Sequence, residues 1–405
     1  MSFTSSPTFS PLSIGWRDLP HPVIAGLISV IVNYGGTFIL VFQAARLAGL
    51  SPEITASWVW SVSIGVGVTG IILSWRYRAP IITAWSTPAA AFLVTALANV
   101  PYSEAIGAYM VSAVAFVVLG LSGWFDRVIR VIPSGIAAGL LAGILLQFGI
   151  GAFASISVDP LLAGMLFIAY VVFKRFSARY AVVGILVLGL GFLLVQHRVD
   201  LSGLRLQLAT PVFTMPVFSL NGLLSVALPL FLLTLTGQYI PGMLVLRNDG
   251  FNTSANPVVT VTGLGSLLMA PFGSHAFNIA AITAAICTGP EAHASASKRW
   301  IAGIAAGFFY ILVGVFGVTL AAVFMAFPAT FITTLAGLAL LGTIGSSLAN
   351  ALADPTTREA ALITFLAAAA NITLLGIGGA FWGLVIGLIA YVALNGKAVR
   401  KAAHS

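Results

Sequence analysis

Charge is what this chain has least of: ten carboxylates and eighteen Lys or Arg in 405 residues, 7% charged, against roughly 25% in a soluble domain. So few ions cannot cover a solvated surface, which excludes a separate soluble domain. Cysteine is nearly absent too. Cys287 is the only one, which rules out an intrachain disulfide and leaves the redox compartment open. No G-x-S-x-G, H-E-x-x-H or P-loop pattern occurs, Cys287 has no base beside it and His293 sits in a polar loop, so an enzyme, a metal centre and a cofactor site are not expected. The net charge of +8 has no basic domain behind it, which excludes a nucleic-acid partner. Residues 1–20 lack the basic start and apolar core of a signal peptide. They hold Arg17 and Asp18 and read as a cytosolic tail, 1–22, with an interfacial turn around Trp16.

What is present is hydrocarbon: 59% hydrophobic residues and a mean hydropathy of +1.07. A spanning helix needs about 20 mostly apolar residues. Apolar spans fall near 23–45, 54–74, 80–97, 104–121, 134–154, 160–173, 180–196, 220–244, 255–271, 275–289, 300–320, 328–350, 358–375 and 377–395, which predicts an all-α polytopic membrane protein of fourteen spans. Lys and Arg test the parity of that count, because they gather on cytoplasmic connections. With both termini inside, only Arg46, Arg198 and Arg205 fall outside and the other basic residues fall inside. That asymmetry fixes the orientation better than it fixes fourteen spans against twelve.

Two spans are interrupted. The third reads APIITAWSTPAAAF from Ala79 and the tenth APFGSHAFNIAAI from Ala270, 191 residues apart. IPSGIAAGLLAG from Ile132 echoes FPATFITTLAG from Phe327 at 195, and RLAGLS from Arg46 echoes RNDGFN from Arg247 at 201. The order is kept at a nearly constant offset, and seven spans per copy turn the second copy upside down, so a 7+7 inverted repeat is expected. Pro88 inside a continuous helix would cost about 3 kcal/mol. Extended chain to about Thr87, then a half-helix opened by Pro88 with Thr87 or Ser86 as N-cap, avoids that cost. In the tenth span Gly273 and Ser274 loosen the chain, and Asn278 is expected to cap a half-helix running from Ile279. Such backbone is tolerated at membrane depth only inside protein or along a cavity. Two half-helix N-termini converging there suit an anion, particularly a carboxylate.

NYGGTFILVFQAA at Asn33–Ala45, TAWSTPAAA at Thr83–Ala91, LTGQYIPGMLVLRNDG at Leu235–Gly250 and PFGSHAFNIAAITAAICTGPEAH at Pro271–His293 resemble the bacterial benzoate:proton symporter family over essentially the whole chain. The resemblance implies a fold similar to the uracil transporter, within the nucleobase, ascorbate and sulfate transporter superfamily. It implies a core domain at 23–121 and 220–320, a gate domain at 134–196 and 328–395, and a cytosolic tail at 396–405. It further implies benzoate or a similar aromatic carboxylate imported with a proton by alternating access in the bacterial inner membrane, and a homodimer through the gate domain. A carrier or exchanger of the same fold for another organic anion or a nucleobase-like substrate, and a passive anion channel, remain open.

Nucleobase relatives carry acidic residues on the eighth and tenth spans, where this chain offers Gln238, and Asn278 with His275. A carboxylate beside a bound carboxylate would be repelled or have to be protonated, whereas an amide donates without either cost. The candidate substrate contacts are therefore Gln238 and Asn278, with Ser86, Thr87 and Pro88 at the broken third span and His275 in the tenth. Tyr34, Phe38, Trp85, Tyr239, Phe272 and Phe277 are candidate walls for an aromatic ring. For the proton, His275 has the near-neutral reference pKa, with a neutral strut for broken backbone as its other role. Glu291 and Asp249 are the alternative, as an inner gate with Lys298 or Arg299.

Overall fold

The computed structural model describes residues 15–125, 127, 133–176, 181–199, 205–280, 283–290, 292–372, 374 and 379–402. Helix dominates because a backbone in hydrocarbon must satisfy its hydrogen bonds internally. The first half runs α1 (Pro20–Asn33), a π turn at Tyr34–Phe38, α2 (Ile39–Leu47), α3 (Pro52–Tyr77), β1 (Thr83–Trp85), α4 (Thr87–Ala96), α5 (Tyr102–Ser122), α6 (Ser134–Val158), α7 (Pro160–Phe176) and α8 (Ala181–Val195). The second half opens with α9 (Leu220–Gly222), a π turn at Leu223–Ala227, α10 (Leu228–Thr234), a π turn at Leu235–Tyr239 and α11 (Ile240–Asn248). It continues with α12 (Ala255–Met269), β2 (Phe277–Ile279), α13 (Ala284–Thr288), α14 (Trp300–Val315), α15 (Gly317–Met325), α16 (Ala329–Ala353), α17 (Arg358–Ala369) and α18 (Gly379–Ala402). Among the described residues, seven helical segments are long and apolar enough to cross a bilayer, counting Leu220–Arg247 as one.

Helices pack in two groups. One holds α1, α3 and α14, with α5 and α12 beside them; the other holds α6, α16, α17 and α18, with α7 and α8. Small residues let the helices approach. A Cβ on Gly67 of α3 would lie 2.5 Å from the Gly307 carbonyl oxygen of α14, and one on Gly307 would lie 2.6 Å from that of Gly67, so the two backbones touch.

β1 and β2 form an antiparallel ribbon with Thr83 opposite Ile279, Ala84 opposite Asn278 and Trp85 opposite Phe277. A two-stranded ribbon is marginal alone in water, but every residue of this one is buried. Side chains complete it: Phe277 N–H donates to Ser266 Oγ at 2.8 Å, Thr83 Oγ1 donates to the Val66 carbonyl at 2.6 Å and Tyr239 Oη donates to the Phe277 carbonyl at 3.1 Å. Of the two caps open for the third span, Ser86 is the one formed: its Oγ accepts from Ala89 N–H at 3.3 Å. The tenth span departs from expectation. Asn278 lies in mid-strand, not at a helix N-cap, and the helix that follows is only Ala284–Thr288. Strand pairing with β1 uses the backbone that a helix from Ile279 would have needed.

Residues 205–219 cross from one half of the chain to the other as an extended strap. Ala209 N–H donates to the Val315 carbonyl at 2.8 Å, Thr214 N–H to that of Pro271 at 2.8 Å, and Val217 N–H to that of Ser103 at 3.0 Å. Val212 N–H donates to Ser57 Oγ at 2.8 Å. At the start of the described chain, Trp16–Asp18 makes a 3-10 turn, and Asp18 is bonded to Lys298 at 2.7 Å and to His293 at 3.4 Å. The Lys298 hydrogen bond holds the Asp18 carboxyl below the usual carboxylate range.

Candidate functional site

A cavity of about 890 Å³ lies between the two helix groups. Its deep end is formed by Trp85, Thr87 and Pro88 at the β1–α4 junction and by Gly237 and Gln238 in the π turn of the opposite span. π turns recur at functional sites because the extra residue re-aims side chains. Here the turn puts Gly237 against Pro88, whose Cγ would lie 2.9 Å from any added Cβ, so the α4 N-terminus and Gln238 share one wall. Trp85 is fixed before any ligand arrives. Its Nε1 donates to Thr37 Oγ1 at 3.2 Å, and its ring is edge-on to Phe38 at 4.6 Å and Tyr34 at 5.1 Å. The facing wall is apolar, with Leu141, Leu145, Val182, Val183 and Leu340.

The electrostatics follow from what lines this space. Among the described wall residues there is no Asp or Glu, and Lys174 is the one cation. In the first turn of α4, Pro88 has no N–H and the Ala89 N–H is taken by Ser86 Oγ. Thr87 is therefore the residue whose amide and hydroxyl carry no partner among the described contacts. A helix N-terminus favours negative charge, and the Gln238 amide adds a donor without adding charge. The second broken span contributes less: Ala280 and Thr283 line the cavity, and the five residues of α13 give a weak dipole.

Residues 18–393 match the model of the family described as benzoate membrane transport protein. The chain belongs to this family. Among its relatives is the benzoate membrane transport protein of Acinetobacter baylyi (strain ATCC 33305 / BD413 / ADP1), 43% identical over 371 residues, covering 92% of this chain and 94% of that one. Another is the inner membrane protein YdcO of Escherichia coli (strain K12), 41% identical over 376 residues, covering 93% and 96%. Solved structures share the fold. SLC26A9 superposes with a TM-score of 0.66 at 13% identity, covering 94% of this chain and 66% of that chain. The transmembrane domain of the cyanobacterial bicarbonate transporter BicA gives 0.60 at 13%, covering 94% and 98%. The murine Slc26a9 anion transporter gives 0.59 at 14%, covering 97% and 73%. At these identities the likeness is one of fold alone: an all-α polytopic membrane architecture.

Within this family member the candidate residues divide. Gln238, Thr87, Pro88 and Trp85 line the cavity. Ser86 and Asn278 lie just behind it, fully buried: Ser86 Oγ accepts from Thr234 Oγ1 at 2.9 Å, and Asn278, in the amide orientation that satisfies both neighbours, accepts from Ser86 N–H and donates to the Ile279 carbonyl, each at 2.9 Å. Tyr34 and Phe38 back the Trp85 ring without lining the space. Tyr239 and Phe277 are packed in the core, Tyr239 bonded to Thr262 Oγ1 at 2.6 Å. Phe272 stacks edge-on with Trp60 and with Phe213 of the strap, away from the cavity.

His275 is enclosed, and its Nδ1 accepts from Trp58 Nε1 at 3.1 Å. Protonation would turn that acceptor into a donor facing a donor, so this geometry supports the neutral strut among its two roles. The inner gate does not assemble around Asp249, which caps α11 in an exposed position. Lys298 is bonded to Asp18, and Arg299 donates to the carbonyls of His293 and Thr288 at 2.8 and 2.7 Å. Glu291 lies outside the described residues. Sequence reasoning missed the α16 wall. Thr343, Ser346, Ser347 and Asn350 line the cavity, and their three-to-four-residue spacing in the second half of a largely apolar helix was the available signal.

Proposed function

We propose that the chain imports benzoate with a proton across the bacterial inner membrane, by alternating access of a core domain (23–121 and 220–320) against a gate domain (134–196 and 328–395). The observation that carries this reading is a cavity with an aromatic and apolar wall, a helix N-terminus and an uncharged amide at its deep end, and no carboxylate among its described lining residues. The benzoate assignment is supported by the relative named for that substrate, at 43% identity. The carboxylate takes the Thr87 amide and hydroxyl and the Gln238 amide, and the ring lies along Trp85. An inside-negative potential opposes anion entry by ~2.3 kcal/mol per charge per 100 mV, and one accompanying proton removes that penalty.

Fourteen spans in 7+7 inverted order are supported by recurrences in the elements. The π turns at Tyr34 and Leu235 start 201 residues apart. Two helices of 25 residues start at Ser134 and Ala329, 195 apart. Each half also has one buried three-residue strand. With both termini cytosolic, Lys174 and the end of α16 at Ala353 face the cytosol, and the cavity is inward-open. The deciding experiment is uptake by purified protein in proteoliposomes, with pH gradient and membrane potential imposed separately and benzoate competed by salicylate, uracil, nicotinate and sulfate. Electroneutral 1:1 symport gives strong stimulation by an inward proton gradient and little response to potential at fixed pH. Robust uptake of a competitor while benzoate fails to accumulate would overturn the substrate, and flux that only equilibrates would mean a channel.

A further inference from the structure

The cavity has a second polar end that the deep site does not use. Lys174 is in the last turn of α7, and its ammonium sits 6.0 Å from the centroid of the Tyr170 ring one turn earlier. Both residues line the cavity. Lys174 forms no ion pair among the described residues, whose salt bridges are Arg198 with Asp159 and Asp18 with Lys298 and His293. The same cavity is lined by the α16 stripe of Thr343, Ser346, Ser347 and Asn350, which runs to Ala353 at the helix end. Lys174, Asn350 and Ala353 are exposed, whereas Trp85 and Pro88 at the other end are buried, so Lys174 marks the mouth of the cavity. A cation lining a pocket that also holds hydroxyls and amides, with no carboxylate among its described lining residues, has the chemistry of an anion site.

We propose that the mouth of the cavity is a second carboxylate subsite, with Lys174 as its charge and Ser347 and Asn350 as hydrogen-bond donors. It takes a monocarboxylate leaving the Gln238 end before release; its ligand rests on the anion-import reading above. The Tyr170 ring under the ammonium suits an aromatic acid better than an aliphatic one, because it offers a flat face beside the charge. The subsite acts on the release side of the cycle.

A thiol placed at Ala353, which lines the same mouth and is exposed, reports on this subsite without requiring transport. In an Ala353→Cys, Cys287→Ser protein, reaction with a sulfonate-bearing and a trimethylammonium-bearing methanethiosulfonate is timed from the inner face, with benzoate or acetate added. The expected result is protection by benzoate at lower concentration than by acetate. Adding Lys174→Gln should raise the half-protecting benzoate concentration about five-fold and erase the preference for the anionic reagent, while Lys174→Arg keeps both. Protection absent from the parent, or unchanged by Lys174→Gln, overturns the subsite. If the parent fails to accumulate benzoate yet shows Lys174-dependent protection, the substrate reading falls and the subsite stands.

Discussion

The two broken spans share a ribbon and little else. The first continues from β1 into ten residues of helix with a side-chain cap and a proline in its opening turn, and it presents Trp85, Thr87 and Pro88 to the cavity. The second leads to a five-residue helix without a side-chain cap, and its polar groups turn inward: Phe277 N–H to Ser266, His275 to Trp58, the Thr288 carbonyl to Arg299. The two interrupted segments differ in what their polar groups do. One turns groups with free hydrogen-bonding capacity to the cavity; the other commits its groups to neighbouring elements.

The largest expected effect comes from breaking the ligand-facing copy at its closest contact. Gly237→Val must push Pro88 away, since even a Cβ would lie 2.9 Å from it, and displacing a positioning group by about 1 Å can cost 10²-fold. Benzoate uptake in proteoliposomes should fall by more than ten-fold with the purified variant still monodisperse; near-normal uptake would mean that α4 and the Gln238 turn do not work as a unit.

A smaller, pH-dependent effect tests charge at the same wall. Gln238→Glu puts a carboxyl beside a bound carboxylate, and only its ionised form repels the ligand. Benzoate binding should weaken about ten-fold at pH 8 and clearly less at pH 5, where protonation of the new group is favoured. Equal loss at both pH values would point to packing instead.

The smallest effect on function is expected in the other copy. Ser266→Ala orphans the buried Phe277 N–H, a loss of about 1–3 kcal/mol of stability. Thermal unfolding in detergent should shift downward while the KM for benzoate changes less than two-fold. A fall in uptake matching that of Gly237→Val would erase the distinction between the two segments.

Much of this division was legible in the residues, and the exceptions have physical causes. Pro88 announced a break because a proline in mid-helix costs both a hydrogen bond and a clash, and Ser86 was one of two caps its position allowed. Gln238 stood out as a lone amide in an apolar run. The tenth span misled because Asn278 is a good N-cap by type, and strand pairing with residues nearly two hundred positions away is invisible locally. The aromatic candidates were hardest to sort. Phe and Tyr carry the same signal whether they face a ligand or a neighbouring helix, and only packing separated Trp85 from Phe277. The polar stripe on α16 went unread because Ser and Thr in membrane helices often bond their own backbone, as Ser346 does to the Thr343 carbonyl at 3.2 Å.

The strap at 205–219 bears on how the molecule is assembled during synthesis. Its partners straddle it in the chain: Ser57 and Ser103 emerge from the ribosome before it, whereas Pro271, Val315 and Thr319 emerge after. The newborn strap can lie down on the first half at once, but the Thr214 amide has no acceptor until Pro271 is made, and those of Ala209 and Gln207 wait for Val315 and Thr319. It therefore acts as a template edge waiting for the second half, and the seam between the halves closes only when the chain is nearly complete.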